Sequence, residues 1–134
     1  MNSFSLKIVT PDGMEFEGMA EEVVVRTTAG DMGILAGHIN CVAPLGMGRA
    51  MFIIDGQKRY AACIGGILSV SNGAVTLVPT TFEWADEIDV DRAENAEERA
   101  KQMLANKNAT NTDLVMAEAK LKRALVRKSV AAYK

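Results

Sequence analysis

A chain of 134 residues has the length of one ordinary domain, or of a compact domain with an appendage. Its 49% hydrophobic and 24% charged residues belong to a folded protein, and a net charge of −2 does not point to nucleic acid as a partner. No apolar run reaches the ~18 residues of a membrane span, and Met1-Asn2-Ser3 begins no secretory signal, so the expectation is a soluble, cytosolic protein without direct membrane insertion.

Residues 4–84 read as short strands separated by turns. Phe4, Leu6 and Ile8 alternate with Ser5 and Lys7, the period-2 pattern of a half-buried strand, and Pro11-Asp12-Gly13 turns the chain. Val23-Val24-Val25 is a β-branched run ending near Gly30. Segments 49–54 and 58–64 flank Asp55-Gly56, and segments 67–70 and 74–78 flank Asn72-Gly73; both dipeptides are hairpin signals. Nine or ten strands with turns every eight to twelve residues favour a β-sandwich or flattened barrel. Cys41 and Cys63 lie in apolar surroundings and read as free buried thiols, not a disulfide or metal site.

All eleven glycines and all three prolines lie at or before Pro79; beyond Trp84 the chain is alanine-rich and charged. This divides it into residues 1–84 and 85–134. Residues 89–132 read as two helices. Asp89 is an N-cap candidate ahead of an acidic first turn, and Ala93, Ala96, Ala100 and Met103 recur at helical spacing. Segment 107–111 interrupts the pattern, and Thr112 or Asp113 is positioned to cap a second helix carrying Leu114, Ala117, Leu121 and Ala124. A short polar loop folds such helices into an antiparallel hairpin. Its seam is mostly alanine, and at about 25 cal/mol per Å² of apolar area such a seam is weak.

Charge is unevenly placed. Residues 86–98 hold seven acids and one arginine, whereas 120–134 hold six bases and no acid. With Ala93 and Ala100 at heptad position a, Arg92 and Arg99 fall at g. With Leu114 and Leu121 at a, Lys120 and Arg127 fall at g and Arg123 lies beside them. In an antiparallel pair the g flanks face each other, which gathers Arg92, Arg99, Arg123 and Arg127 on one side of the hairpin. Arg92 and Arg99 are roughly 10 Å apart along the axis, a length a nucleotide spans, and guanidinium forks match phosphate oxygens. The competing explanation is surface charge pairing, with basic residues completing the dipole of the second helix and facing the acidic start of the first; exposed pairs contribute only about 0–1 kcal/mol each.

Val9-Thr10-Pro11, Gly33-Ile34-Leu35 with His38, Gly65-Gly66-Ile67-Leu68-Ser69-Val70 with Asn72, Val75-Thr76-Leu77 and Asp86-Glu87-Ile88-Asp89-Val90-Asp91-Arg92-Ala93 occur in an order that resembles the epsilon subunit family of bacterial rotary ATP synthases, over nearly the full chain. Ala36 and Asn40 depart from it, standing where the family usually has prolines. The resemblance implies an N-terminal β-sandwich of about ten strands and a C-terminal two-helix hairpin, in a central-stalk subunit with no independent enzymatic activity. It implies that the sandwich binds the gamma subunit and the c-ring, with Gly30, Asp31, Met32, Gly33 and His38 in that interface, at the cytoplasmic face of the membrane. It further implies ATP as a regulatory ligand. The matching clamp is Ile88, Asp89, Arg92 and Ala93, with Arg99, Arg123 and Arg127 further along and Glu83 on the preceding strand.

The mechanism expected from this is a population shift. The hairpin lies folded, or extends along the gamma subunit into the alpha/beta catalytic head and blocks hydrolysis; ATP bound to the folded form alone stabilises it by about 1.4 kcal/mol at tenfold excess. The arginines are expected to hold the phosphates, with Glu83 or Asp89 accepting from the adenine amine. Mg²⁺ is a possible companion of the phosphates, but no carboxylate cage is evident for it. The alternative is a structural stalk subunit without nucleotide sensing. An enzyme acting alone finds no support, since His38 is the sole histidine and has no local partner. An oligonucleotide binder acting through the basic tail conflicts with the acidic total.

Overall fold

The computed structural model describes residues 2–133. Ten strands come first: β1 Phe4–Thr10, β2 Gly13–Ala20, β3 Glu22–Thr27, β4 Gly30–Leu35, β5 Cys41–Pro44, β6 Met47–Ile54, β7 Gln57–Ile64, β8 Ile67–Ser71, β9 Ala74–Val78 and β10 Thr81–Trp84. They form two five-stranded sheets, ordered β2-β1-β9-β8-β5 and β10-β7-β6-β3-β4. All pairings between named strands are antiparallel except β1 with β9. Of the β-sandwich and the flattened barrel that turn spacing left open, the architecture is therefore the sandwich, which the family resemblance also implied.

The alternation in β1 places Phe4, Leu6 and Ile8 inward, where they meet Val23, Val25, Phe52, Leu68 and Leu77 from both sheets. Phe52, Phe82 and Trp84 close one end of this core edge-to-face, with ring centroids 4.9–6.1 Å apart. Asp55 and Asn72 both adopt positive φ (54° and 50°) ahead of Gly56 and Gly73, also at positive φ, as a two-residue turn matched to strand twist requires. Cys63 is buried, which pushes its thiol up to about 12 and leaves it unreactive. Cys41 is free but only half-buried, contrary to the expectation for it, because β5 forms the edge of its sheet.

A short 3-10 turn, Ala85–Glu87, leads into α1 (Val90–Leu104) and α2 (Asn111–Ala131). Asp89 caps α1, accepting from the Arg92 backbone N–H at 3.1 Å. The cap of α2 is neither Thr112 nor Asp113 but Thr110. Its Oγ1 accepts from Asp113 N while Asp113 Oδ2 accepts from Thr110 N, both at 3.1 Å. This reciprocal capping box satisfies two backbone donors where a cap at 112 or 113 satisfies fewer, so the helix begins earlier. Ala93, Ala100, Ala117 and Ala124 are buried in the seam; Met103 lies outside it, 38% exposed.

The hairpin is folded against the sandwich, with α2 packed on β6, β7 and the 3-10 turn. The end of β7 shows the cost to strand patterning: Ala61 through Ile64 are all buried, because one sheet face is covered by the core and the other by the hairpin. Ala62, Ala85, Ile88, Val130 and Ala131 form a second apolar cluster at this junction. Beyond it Tyr133 stacks on Tyr60 at 4.5 Å between centroids, and the Arg49 guanidinium lies 4.4 Å from the Tyr133 ring centre. Across the seam, Lys128 Nζ donates to Glu97 Oε2 at 2.8 Å and Lys101 Nζ lies 3.2 Å from Glu97 Oε1.

The hydrogen bond from Lys128 holds Glu97 below its ordinary pKa, with Lys101 adding to the effect; the same bond raises Lys128. A depressed carboxylate contributes stability that is complete above its unfolded pKa and lost as pH falls through the folded value. A raised lysine contributes stability that is complete below its unfolded pKa and lost as pH rises. Both contributions are therefore whole from about pH 4.3 to about pH 10.4. On acidification through and below the ordinary glutamate range, amide exchange in α1 and α2 is expected to accelerate before that of the sandwich, and Glu97→Gln is expected to flatten this response. At neutral pH, Tyr133→Ala is expected to raise exchange at the C-terminal end of α2 while β1, β6 and β9 keep their protection.

Candidate functional site

Between the two helices, on the flank opposite the Glu97–Lys128 pair, runs a groove of about 600 Å³. From α2 it is lined by Lys120, Arg123 and Arg127, spaced three and four residues apart and so stacked on one helix face. Arg99 faces them from α1, and Thr81 of β10 borders the groove from the sandwich. Its floor is small, formed by Ala96, Ala100 and Ala117, and Met103 and Met116 stand towards the hairpin loop. Alanine is what makes the groove: a larger residue at these seam positions would fill it.

The groove brings together Arg99, Arg123 and Arg127. It does not include Arg92, because its α1 lining begins at Ala96, one turn after Arg92, which is exposed in the first helical turn. Arg127 is already paired: its Nε lies 2.7 Å from Glu83 Oε1 on β10. Both atoms are shielded from water, yet the N–H is not aligned for a hydrogen bond, so the contact is an ion pair with unused hydrogen-bonding capacity on each side. Glu83 therefore meets Arg127, and Asp89 Oδ1 accepts from the helix it caps. Both carboxylates expected to face an adenine amine are engaged within the chain.

Ile88 is 3% exposed and packs in the junction cluster, and Ala93 is buried in the seam. Arg99, Lys120 and Arg123 form no ion pair among the described residues. Three cations without an ion-pair partner therefore line one groove, with a paired fourth at its edge and the capping Asp113 among its other lining residues, an arrangement of charge that complements an anion. No group of three or more His, Cys, Asp or Glu side chains is placed to hold a metal among the described residues. Lys120 and Thr81 are lining residues that sequence reasoning did not single out. For Lys120 the signal was present, since it occupies the same heptad flank as Arg127; for Thr81 there was none.

The second expected site lies elsewhere. Gly30, Asp31, Met32 and Gly33 lie on β4, the outer strand of its sheet, with His38 just beyond it. Asp31 pairs with Arg26 at 2.7 Å, and His38 Nδ1 lies 2.9 Å from the Ile39 carbonyl. Leu35 and Ile39 nearby are exposed at 57% and 77%, an edge rich in apolar surface. No helix of the described residues is long and apolar enough to cross a membrane.

Comparison with known proteins places this architecture. Residues 3–85 match the family described as ATP synthase, Delta/Epsilon chain, beta-sandwich domain, and residues 86–132 match the ATP synthase, Delta/Epsilon chain, long alpha-helix domain. The chain is 40% identical over 134 residues to the ATP synthase epsilon chain of Shouchella clausii, covering 100% of this chain and 98% of that one. It is 44% identical over 131 residues to that of Bacillus velezensis, covering 98% of each chain. The fold also resembles a chain in the Euglena gracilis mitochondrial ATP synthase, with a TM-score of 0.83, 23% identity, and coverage of 98% of this chain and 82% of that chain. With both halves matched in order and end-to-end similarity at this level, the chain belongs to the ATP synthase epsilon chain family.

Proposed function

We propose that this chain is a central-stalk subunit of a rotary ATP synthase whose C-terminal hairpin binds ATP in the folded state and inhibits ATP hydrolysis when it extends. The observation that carries the ATP reading is the groove: Arg99, Arg123 and Arg127 converge on one space between α1 and α2. That space exists only while the helices lie side by side. A ligand held from both helices at once stabilises the folded hairpin and has no equal affinity for an extended one, which is the condition for a population shift. Its contribution grows as RT ln(1 + [L]/Kd), about 1.4 kcal/mol at tenfold excess.

In this reading the sandwich remains attached to the gamma subunit and the c-ring through the β4 edge and the segment to His38, at the cytoplasmic face of the membrane. The hairpin reaches the alpha/beta catalytic head only when extended. The chain itself carries no reaction; it sets whether the complex turns over. Phosphates are held by the guanidinium groups of Arg99 and Arg123. Arg127 joins them by turning its free N–H groups into the groove while Glu83 keeps it in place. Mg²⁺, where present, arrives with the phosphates and is not held by the chain.

A stalk role without sensing has one observation in its favour: the Tyr133 stack and the Glu97–Lys128 pair hold the hairpin folded without any ligand. Equilibrium titration of the isolated subunit with ATP separates the two readings. Saturable binding, weakened about tenfold or more by Arg123→Ala as expected for loss of a charge-assisted contact, supports sensing. Binding that does not saturate, or that Arg123→Ala leaves unchanged, removes sensing and leaves the structural role.

A further inference from the structure

We propose that Lys120 is a fourth phosphate-binding residue of the groove and that, with Arg99 facing it, it holds the terminal phosphate of the bound nucleotide. This rests on the ATP-binding reading above and adds to it the position of the triphosphate.

The cations around the groove differ in whether an acidic partner compensates them. Arg127 lies at the sandwich end of the groove and faces Glu83 at 2.7 Å, so its charge is largely compensated before any ligand arrives. Lys101 and Lys128 face Glu97, and Lys122 faces Glu118 at 3.5 Å. Arg99, Lys120 and Arg123 line the groove, and none of them has an acidic partner among the described residues. Uncompensated positive charge is therefore displaced from the hairpin mouth towards its loop.

Spacing supports the same grouping. Arg123 and Lys120 are three residues apart on α2, about 4.5 Å of axial rise, and on one face. Lys120 is thus the next rung of the ladder that begins at Arg127 and Arg123. The lining carboxylate nearest in sequence, Asp113, is seven residues away and spends Oδ2 on the capping box of α2. A triphosphate with its proximal phosphates near Arg123 and Arg127 extends its tail towards Lys120. The ammonium group is a compact point charge on a flexible stem, suited to a terminal phosphate, which carries more charge than either of the other two. Because a nucleoside diphosphate lacks that phosphate, Lys120 discriminates ATP from ADP.

The test is titration of the full chain with ATP and with ADP, for wild type, Lys120→Gln and Lys122→Gln. Lys120→Gln is expected to weaken ATP about tenfold while changing ADP less than twofold, so that the preference for ATP falls by about the same factor. Lys122→Gln, which removes an equal charge from the outer face, is expected to leave both nearly unchanged. If wild type binds ATP but Lys120→Gln weakens ATP and ADP equally, or neither, or if Lys122→Gln has the same effect, the assignment is overturned while the ATP reading stands. If wild type shows no saturable binding of either nucleotide, that reading falls and this assignment with it.

Discussion

The position of the hairpin depends on how the last turn of α2 is held to the sandwich. Val130 and Ala131 close over Ala62, Ala85 and Ile88, and just beyond them Tyr133 is caught between Tyr60 and Arg49. The seam itself is built of alanines that bury little area each, so it does not fix the orientation of the pair against β7 by itself. An aromatic ring stacked on another and covered by a guanidinium supplies both area and direction at one point.

Two flanks of the same hairpin carry opposite electrostatic arrangements. On one, Glu97 is satisfied by Lys128 and Lys101 and the charges close on themselves. On the other, basic groups outnumber their acidic partners and a groove remains open between them. The first arrangement fastens the helices in the absence of any ligand. The second leaves repulsion among cations that an anion relieves. In the proposed function, this hairpin, fastened on one side and electrostatically unfinished on the other, is the element whose closed state responds to a ligand.

The sandwich does different work. Its core interleaves side chains from both sheets, and large aromatic and branched residues such as Phe52, Leu6 and Leu77 are fully enclosed. Removing that much apolar surface from water holds this part of the chain together independently of the hairpin. The docking at the β4 edge and the movable C-terminal element of the proposed function are compatible because the sandwich and the hairpin junction rest on separate apolar clusters.

Local order was legible in the sequence because its determinants are local. Alternation in β1, the Asp55-Gly56 and Asn72-Gly73 turns, the Asp89 cap and the alanine spacing of both helices depend on residues a few positions apart. The arginine flank was legible for the same reason, since helical periodicity alone puts Arg123 and Arg127 on one face. Helix α2 was placed correctly but its cap was not, because Thr110 competes through a reciprocal hydrogen bond that periodicity does not reveal. What only the tertiary structure decided are the long-range pairs. Glu83 engages Arg127, Glu97 engages Lys128 thirty-one residues away, Tyr133 engages Tyr60 and Arg49, and the groove starts one turn beyond Arg92. Each depends on the distance and angle at which one rigid unit rests on another, and those are set by packing over the whole interface, not by any spacing along the chain.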